Sequence, residues 1–141
     1  MRLKKSDIKM LKITKRTEYG LIALTHIEHS SKDNLISSNK IASHYNIPRE
    51  LMAKTLQTMV KKGYLRAVKG VSGGYQSNVK LEDISLKDFI ESLEGPLALT
   101  DCHISDECKQ ITACNIKEPI KRINDNLLDF LDNISLVEIT K

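Results

Sequence analysis

Cys102, Cys108 and Cys114 are the three cysteines of the chain, each separated from the next by five residues. Thiolates are soft ligands for iron, zinc and iron–sulfur clusters, and they are also the side chains most open to oxidation. A loop with three of them can wrap a metal centre, whereas an odd count leaves one thiol over in any disulfide scheme. Free cysteines are often plain core residues. Here His103, Ser105, Asp106, Glu107, Lys109 and Gln110 lie between them and are polar, so the spacing predicts a metal-binding loop.

The charge pattern points to a second chemistry. Residues 1–80 carry 16 Lys/Arg against 5 Asp/Glu, and residues 81–141 carry 6 against 13, giving balances of +11 and −7. A basic half is built to meet a polyanion. Aromatic residues make up 4% of the chain and Trp is absent, so the expected core is aliphatic and mainly helical. No apolar run approaches the roughly 20 residues that span a bilayer. Nothing at the N-terminus reads as a secretory signal, and a soluble cytoplasmic protein is the expectation. No nucleophile–base pairing or catalytic carboxylate motif stands out, and His26, His29 and His44 read as helix residues, so no enzyme is expected.

The elements that must position these groups follow from periodicity. Met1–Lys12 reads as a basic extension, with Met10 an alternative start. Thr14 is a candidate N-cap for a helix to about His29, with Leu21, Ile22, Leu24 and Ile27 on its apolar side. Ser38 caps a short helix with Ile41 and Ala42 inward, ending near His44–Asn46. Pro48 then opens a helix to about Lys62, a position that suits proline. Met52, Leu56, Met59 and Val60 form its buried stripe, and Arg49, Glu50, Ala53, Lys54, Gln57, Thr58 and Lys61 face outward. This is a helix-turn-helix arrangement with a basic second helix of a size to enter the DNA major groove. Gly63 ends that helix. Residues Tyr64–Val68 and Gly74–Ser77 read as a hairpin wing with a glycine-rich tip, and Arg66 and Lys69 bring charge at and near the tip. Ser85 starts a helix of about Leu86–Leu93, and Gly95-Pro96 breaks it. Pro119 marks the first turn of a long final helix to about Asn133. Its apolar residues Ile120, Ile123, Leu127, Phe130 or Leu131, and Ile134 recur at helical spacing and predict packing against the same helix of a second subunit.

These segments, taken together from about Leu11 to Ile139, resemble the Rrf-two family of bacterial winged-helix regulators, which includes the IscR and NsrR types. The resemblance is carried by Ile13-Thr14-Lys15-Arg16-Thr17-Glu18-Tyr19-Gly20, by Ile47-Pro48, and by Lys61-Lys62-Gly63-Tyr64-Leu65. The wing Val68-Lys69-Gly70-Val71-Ser72-Gly73-Gly74-Tyr75, the cysteine triad and the closing Leu131-Asp132-Asn133-Ile134-Ser135-Leu136 complete it. It implies a mainly α fold: a winged helix-turn-helix over residues 13–80, then a sensor loop and dimerisation helix over residues 81–141. It also implies a homodimeric regulator, a repressor in this reading. Its affinity for double-stranded promoter DNA would be set by an iron–sulfur cluster (2Fe-2S or 4Fe-4S) on Cys102, Cys108 and Cys114.

The chain departs from the IscR type at Lys117, where that type has a histidine ligand. The NsrR type uses a carboxylate early in the first helix, and the matching residue here is Glu18, the expected fourth ligand, with His103 the runner-up. Zinc is the metal alternative, although the paired two-residue cysteine spacing of structural zinc sites is absent. On DNA the expected readers are Arg49, Glu50, Ala53, Lys54 and Gln57, with Gln suited to adenine, Glu to cytosine and Ala to a thymine methyl. Lys69 matches a wing arginine of the family and is expected in the minor groove. Two further functions stay open: a cluster-free regulator whose thiols react directly, and an accessory factor for iron–sulfur assembly.

Overall fold

The computed structural model describes residues 12–30, 33–100 and 108–141. Most of the basic extension, Met10, Cys102 and His103 lie outside the described residues.

Helix α1 (Lys15–His29) starts where Thr14, in extended conformation, accepts the Thr17 N–H on its own Oγ1 at 3.4 Å. Such a cap satisfies one of the free N–H groups of a first turn. Helix α2 (Ser38–Tyr45) is capped by Ser37, one residue before the serine expected, with its Oγ accepting from Lys40 N–H at 3.2 Å. The shift has a tertiary cause. Ile36 exchanges backbone hydrogen bonds with Tyr75 (2.8 and 3.0 Å), so the chain stays extended up to Ser37. Asn46 closes α2 in the left-handed conformation (φ 54°), where Asn is tolerated better than most residues.

Helix α3 (Arg49–Lys61) follows within three residues, with Pro48 at its N-cap. Gly63 (φ 86°) turns the chain out of it, and Tyr64 N–H bonds back to Met59 O at 2.9 Å. Strands β1 (Leu65–Val68) and β2 (Gly74–Ser77) then pair antiparallel, from Leu65 opposite Ser77 to Val68 opposite Gly74. A Cβ at Gly74 would lie 2.8 Å from the backbone of Ile36, so glycine is what lets the wing dock beside the entry to α2.

A 3-10 turn (Leu81–Asp83) leads to α4 (Leu86–Glu94), capped by Ser85 Oγ accepting from Asp88 N–H at 3.0 Å. Helix α5 (Lys117–Asp132) is the longest element, and α6 (Leu136–Ile139) ends the chain behind a capping box of Ser135 and Glu138. Backbone bonds Leu86 N–H to Ile134 O (2.7 Å) and Leu136 N–H to Ile84 O (2.9 Å) staple the end of α5 to the start of α4.

One core joins these parts. Ala23 and Leu24 of α1, Ile41 of α2, Met52, Leu56 and Met59 of α3, and Phe89 of α4 are all at most 1% exposed. Gly20 permits the α1–α4 contact: a Cβ there would sit 3.1 Å from Leu93 Cδ1 and 3.2 Å from the Phe89 ring. Tyr64 packs edge-on against Phe89 with ring centroids 5.0 Å apart. The winged helix-turn-helix and the C-terminal helices therefore share their interior.

Candidate nucleic-acid interface and cysteine loop

The buried stripe of α3, Met52, Thr55, Leu56 and Met59, rotates the opposite side outward. Arg49, Glu50, Lys54, Gln57 and Lys61 are exposed, and Ala53 is half-buried between them. Leu51 also stands on this side at 47% exposure. Sequence reasoning missed it because an apolar residue beside Met52 reads as core, although it falls off the 52–56–59 stripe. On the wing, Arg66 points from β1 across the ladder and donates to Gln76 Oε1, so its guanidinium is held on the strand pair rather than at the tip. Lys69 is exposed at the tip, where Gly73 N–H closes onto Gly70 O at 3.0 Å, and Val71 stands fully exposed beside it. The ion pairs among the described residues are Lys15–Glu18, Lys87–Asp88 and Lys121–Asp125. The cations of α3 and the wing are in none of them. The outward side of α3 and the tip of the wing are each exposed, positive and free of ion pairs, and such surfaces can track phosphates and reach base edges.

The cysteine segment behaves differently. Cys108 and Cys114 are free, half-buried thiols. Turns connect them through Ile111 N–H to Cys108 O (3.2 Å) and Ala113 N–H to Gln110 O (3.1 Å), and Cys108 Sγ lies 3.5 Å from Gln110 Oε1. Three thiolates fit an iron–sulfur cluster by donor chemistry. Glu18 is in the first turn of α1 as expected, but its carboxylate is engaged by Lys15 Nζ at 2.8 Å. That contact holds the exposed Lys15 amine above its usual pKa. The structure does not gather Glu18 with Cys108 and Cys114: among the described residues no group of three or more His, Cys, Asp or Glu is arranged to hold a metal. Lys117 stands at the first residue of α5.

Along α5, Ile123 is 55% exposed, and Ile116 just before the helix and Phe130 near its end are 55% and 63% exposed. These three recur every seven residues, with Ile120 and Leu127 half-buried between them. Of the two alternatives at the helix end, Phe130 faces out, while Leu131 and Ile134 pack on the core. No helix among the described residues is long and apolar enough to cross a membrane.

An outward helix behind a tight turn, a paired hairpin and a long trailing helix define a winged helix-turn-helix protein of regulator type. The Rrf2 family, described as "Iron-dependent Transcriptional regulator", matches residues 13–141, and the chain belongs to it. Among solved structures it is similar to CymR, the global cysteine regulator of B. subtilis, at 23% identity over 93% of this chain and 97% of that one, with a TM-score of 0.72. The oxidized form of Staphylococcus aureus CymR is 27% identical over 93% and 97% of the two chains, with a TM-score of 0.69. T. potens IscR is 22% identical over 92% and 85%, also with a TM-score of 0.69.

Proposed function

We propose that this regulator is a homodimer that binds promoter DNA through α3 and the wing as a repressor, and that the loop of Cys102, Cys108 and Cys114 sets its affinity through an iron–sulfur cluster. The observation that carries the DNA reading is that Arg49, Lys54 and Lys61 on the outward side of α3 and Lys69 at the wing tip are all exposed and in none of the ion pairs among the described residues. The cluster reading rests on the three-thiol donor set, and the description of the family agrees with it. When bound, a cluster supplies a redox- and nitric-oxide-sensitive centre whose state differs in charge and geometry. Cys102, Cys108 and Cys114 would hold it, with Glu18 as the fourth ligand after release from Lys15. That release is easy, because an exposed ion pair is weak.

A specific observation favours a second reading, in which the thiols respond directly. Cys108 and Cys114 are half-exposed and free, and they have no third ligand beside them among the described residues. A relative of 27% identity has been solved in an oxidized form.

One experiment separates the readings. Anaerobically purified protein is assayed for iron and acid-labile sulfide, and its visible spectrum is recorded. Iron, sulfide and visible absorbance together support the cluster. Their absence, with DNA affinity that still changes on thiol oxidation, supports the thiol regulator. Glu18→Ala with unchanged iron content, spectrum and cluster lifetime would sink the fourth-ligand assignment. Failure to retard any duplex selected from random sequence would point instead to an assembly factor on the same scaffold.

A further inference from the structure

Helix α5 carries one buried residue, and it is polar: Asn124 is 5% exposed. Its neighbours along the helix, Ile120, Ile123, Leu127 and Leu128, are apolar. The side chain has a defined task. Asn124 Oδ1 accepts the Leu99 N–H at 2.8 Å. Leu99 belongs to the segment that leaves α4 and enters the cysteine loop, three residues before Cys102. The same segment is held on its α4 side, where Glu91 Oε1 accepts the Leu97 N–H at 3.4 Å. The segment leading into the loop is therefore fastened to the helix that follows the loop, 25 residues later in the chain. Asn124 adjoins Ile123, which stands on the exposed apolar stripe of α5.

We infer that Asn124 is a positioning residue that couples the cysteine loop to α5, so that a change at the thiols alters the set of that helix and, through it, DNA affinity. This rests on the sensor reading above. A buried amide whose only apparent gain were packing would be replaced by an apolar residue at no loss, because its polar groups must find partners when buried. A side-chain acceptor for a loop N–H also links two segments that the backbone ladder of neither helix joins.

The test uses the full-length protein as purified anaerobically and after treatment with diamide, which oxidises thiols. DNA affinity is measured in both states by fluorescence anisotropy on a duplex selected by the wild type, and amide exchange at Leu99 is followed without DNA. Wild type is expected to show a ratio of about tenfold or more between the two states, within the usual range of coupling between sites. Asn124→Leu, of the same branched shape but without an acceptor, is expected to bring that ratio to within about twofold of one and to speed Leu99 exchange about tenfold. Asn124→Asp keeps an oxygen at the same place and is expected to retain most of both properties. If Asn124→Leu loses helical content by circular dichroism, Asn124→Ala carries the comparison. A wild-type ratio of one would overturn the sensor reading and this inference with it. A wild-type response left intact by the folded acceptor-free variant would overturn the coupling role alone.

Discussion

Glu94 shows how much one side chain at an element boundary can determine. Its carboxylate accepts from Thr17 Oγ1 at 2.8 Å and from Thr14 N–H at 3.2 Å, and Thr17 is fully buried. The last residue of α4 thus closes the first turn of α1, where N–H groups lack helical partners and a negative charge is favoured. Glu94→Ala is expected to lower stability by about 1–3 kcal/mol, because it leaves a buried hydroxyl without its acceptor, and urea denaturation reads this directly. Glu94→Gln, which keeps an acceptor oxygen, is expected to lose less. His26 supplies a pH effect. Burial, then the charges of His44, Lys40 and His29, depress its pKa from the ordinary 6.5, while its Nδ1 sits 2.9 Å from Tyr45 Oη. Below pH 6.5 the unfolded chain takes up the proton at His26 more readily than the folded one. The contribution is therefore intact above 6.5 and is lost as pH falls through 6.5 toward the folded value. Thermal unfolding at pH 7.5 and 5.5 is expected to show a smaller difference in His26→Gln than in wild type.

At the scale of elements, the wing is held by close backbone approach. Gly74→Ala would drive a Cβ into the backbone of Ile36, which cannot swing aside as a side-chain tip could. The expected outcome is a loss of about 1–3 kcal/mol in urea denaturation, as for other overpacked sites, together with weaker DNA binding as the hairpin leaves α2. Lys69→Ala tests the tip without touching the fold, since Lys69 is exposed. It is expected to weaken binding across sequences and to reduce the slope of log affinity against log salt by about one. A slope unchanged in Lys69→Ala would remove this residue from the phosphate-contacting set.

At the scale of the whole molecule, the two sides of α5 differ in what covers them, and the proposed dimer would use the open one. Ile123 is 55% exposed in the single chain, whereas Leu131 packs on the core. Ile123→Glu is therefore expected to leave chain stability within about 0.5 kcal/mol. In sedimentation equilibrium it should raise the dimer dissociation constant by about tenfold or more, because a charge in an apolar interface has no partner there. Leu131→Glu is expected to destabilise the fold itself. A dimer unchanged in Ile123→Glu would move the interface off the 116–123–130 stripe. In the proposed dimer each subunit would present one outward α3 to one half-site.

Much of this was legible in local sequence. The 52–56–59 spacing, the Asn46–Pro48 turn and the glycines of the wing specify α3 and its hairpin with little help from the rest of the chain, because cap, period and turn chemistry act over a few residues. The three cysteines and the charge contrast were equally plain. Other features depended on contacts between residues distant in sequence. The α2 cap fell on Ser37 rather than Ser38 because Ile36 pairs with Tyr75, and α6 was missed because its anchor is the start of α4. Periodicity put Ile120, Ile123, Leu127, Leu131 and Ile134 on one stripe. Packing then divided them: Leu131 and Ile134 went to the core of their own chain, and Ile123 joined Ile116 and Phe130 on the open side. The tether from Leu99 to Asn124 had no sequence signal, since an asparagine among leucines names no partner until the chain has folded back on itself. The sequence by itself determined the kind of protein and the three thiols it carries. Only the tertiary structure decided which faces remain open and how the loop is fastened to the helix behind it, because burial and hydrogen bonding between distant segments are properties of the folded chain.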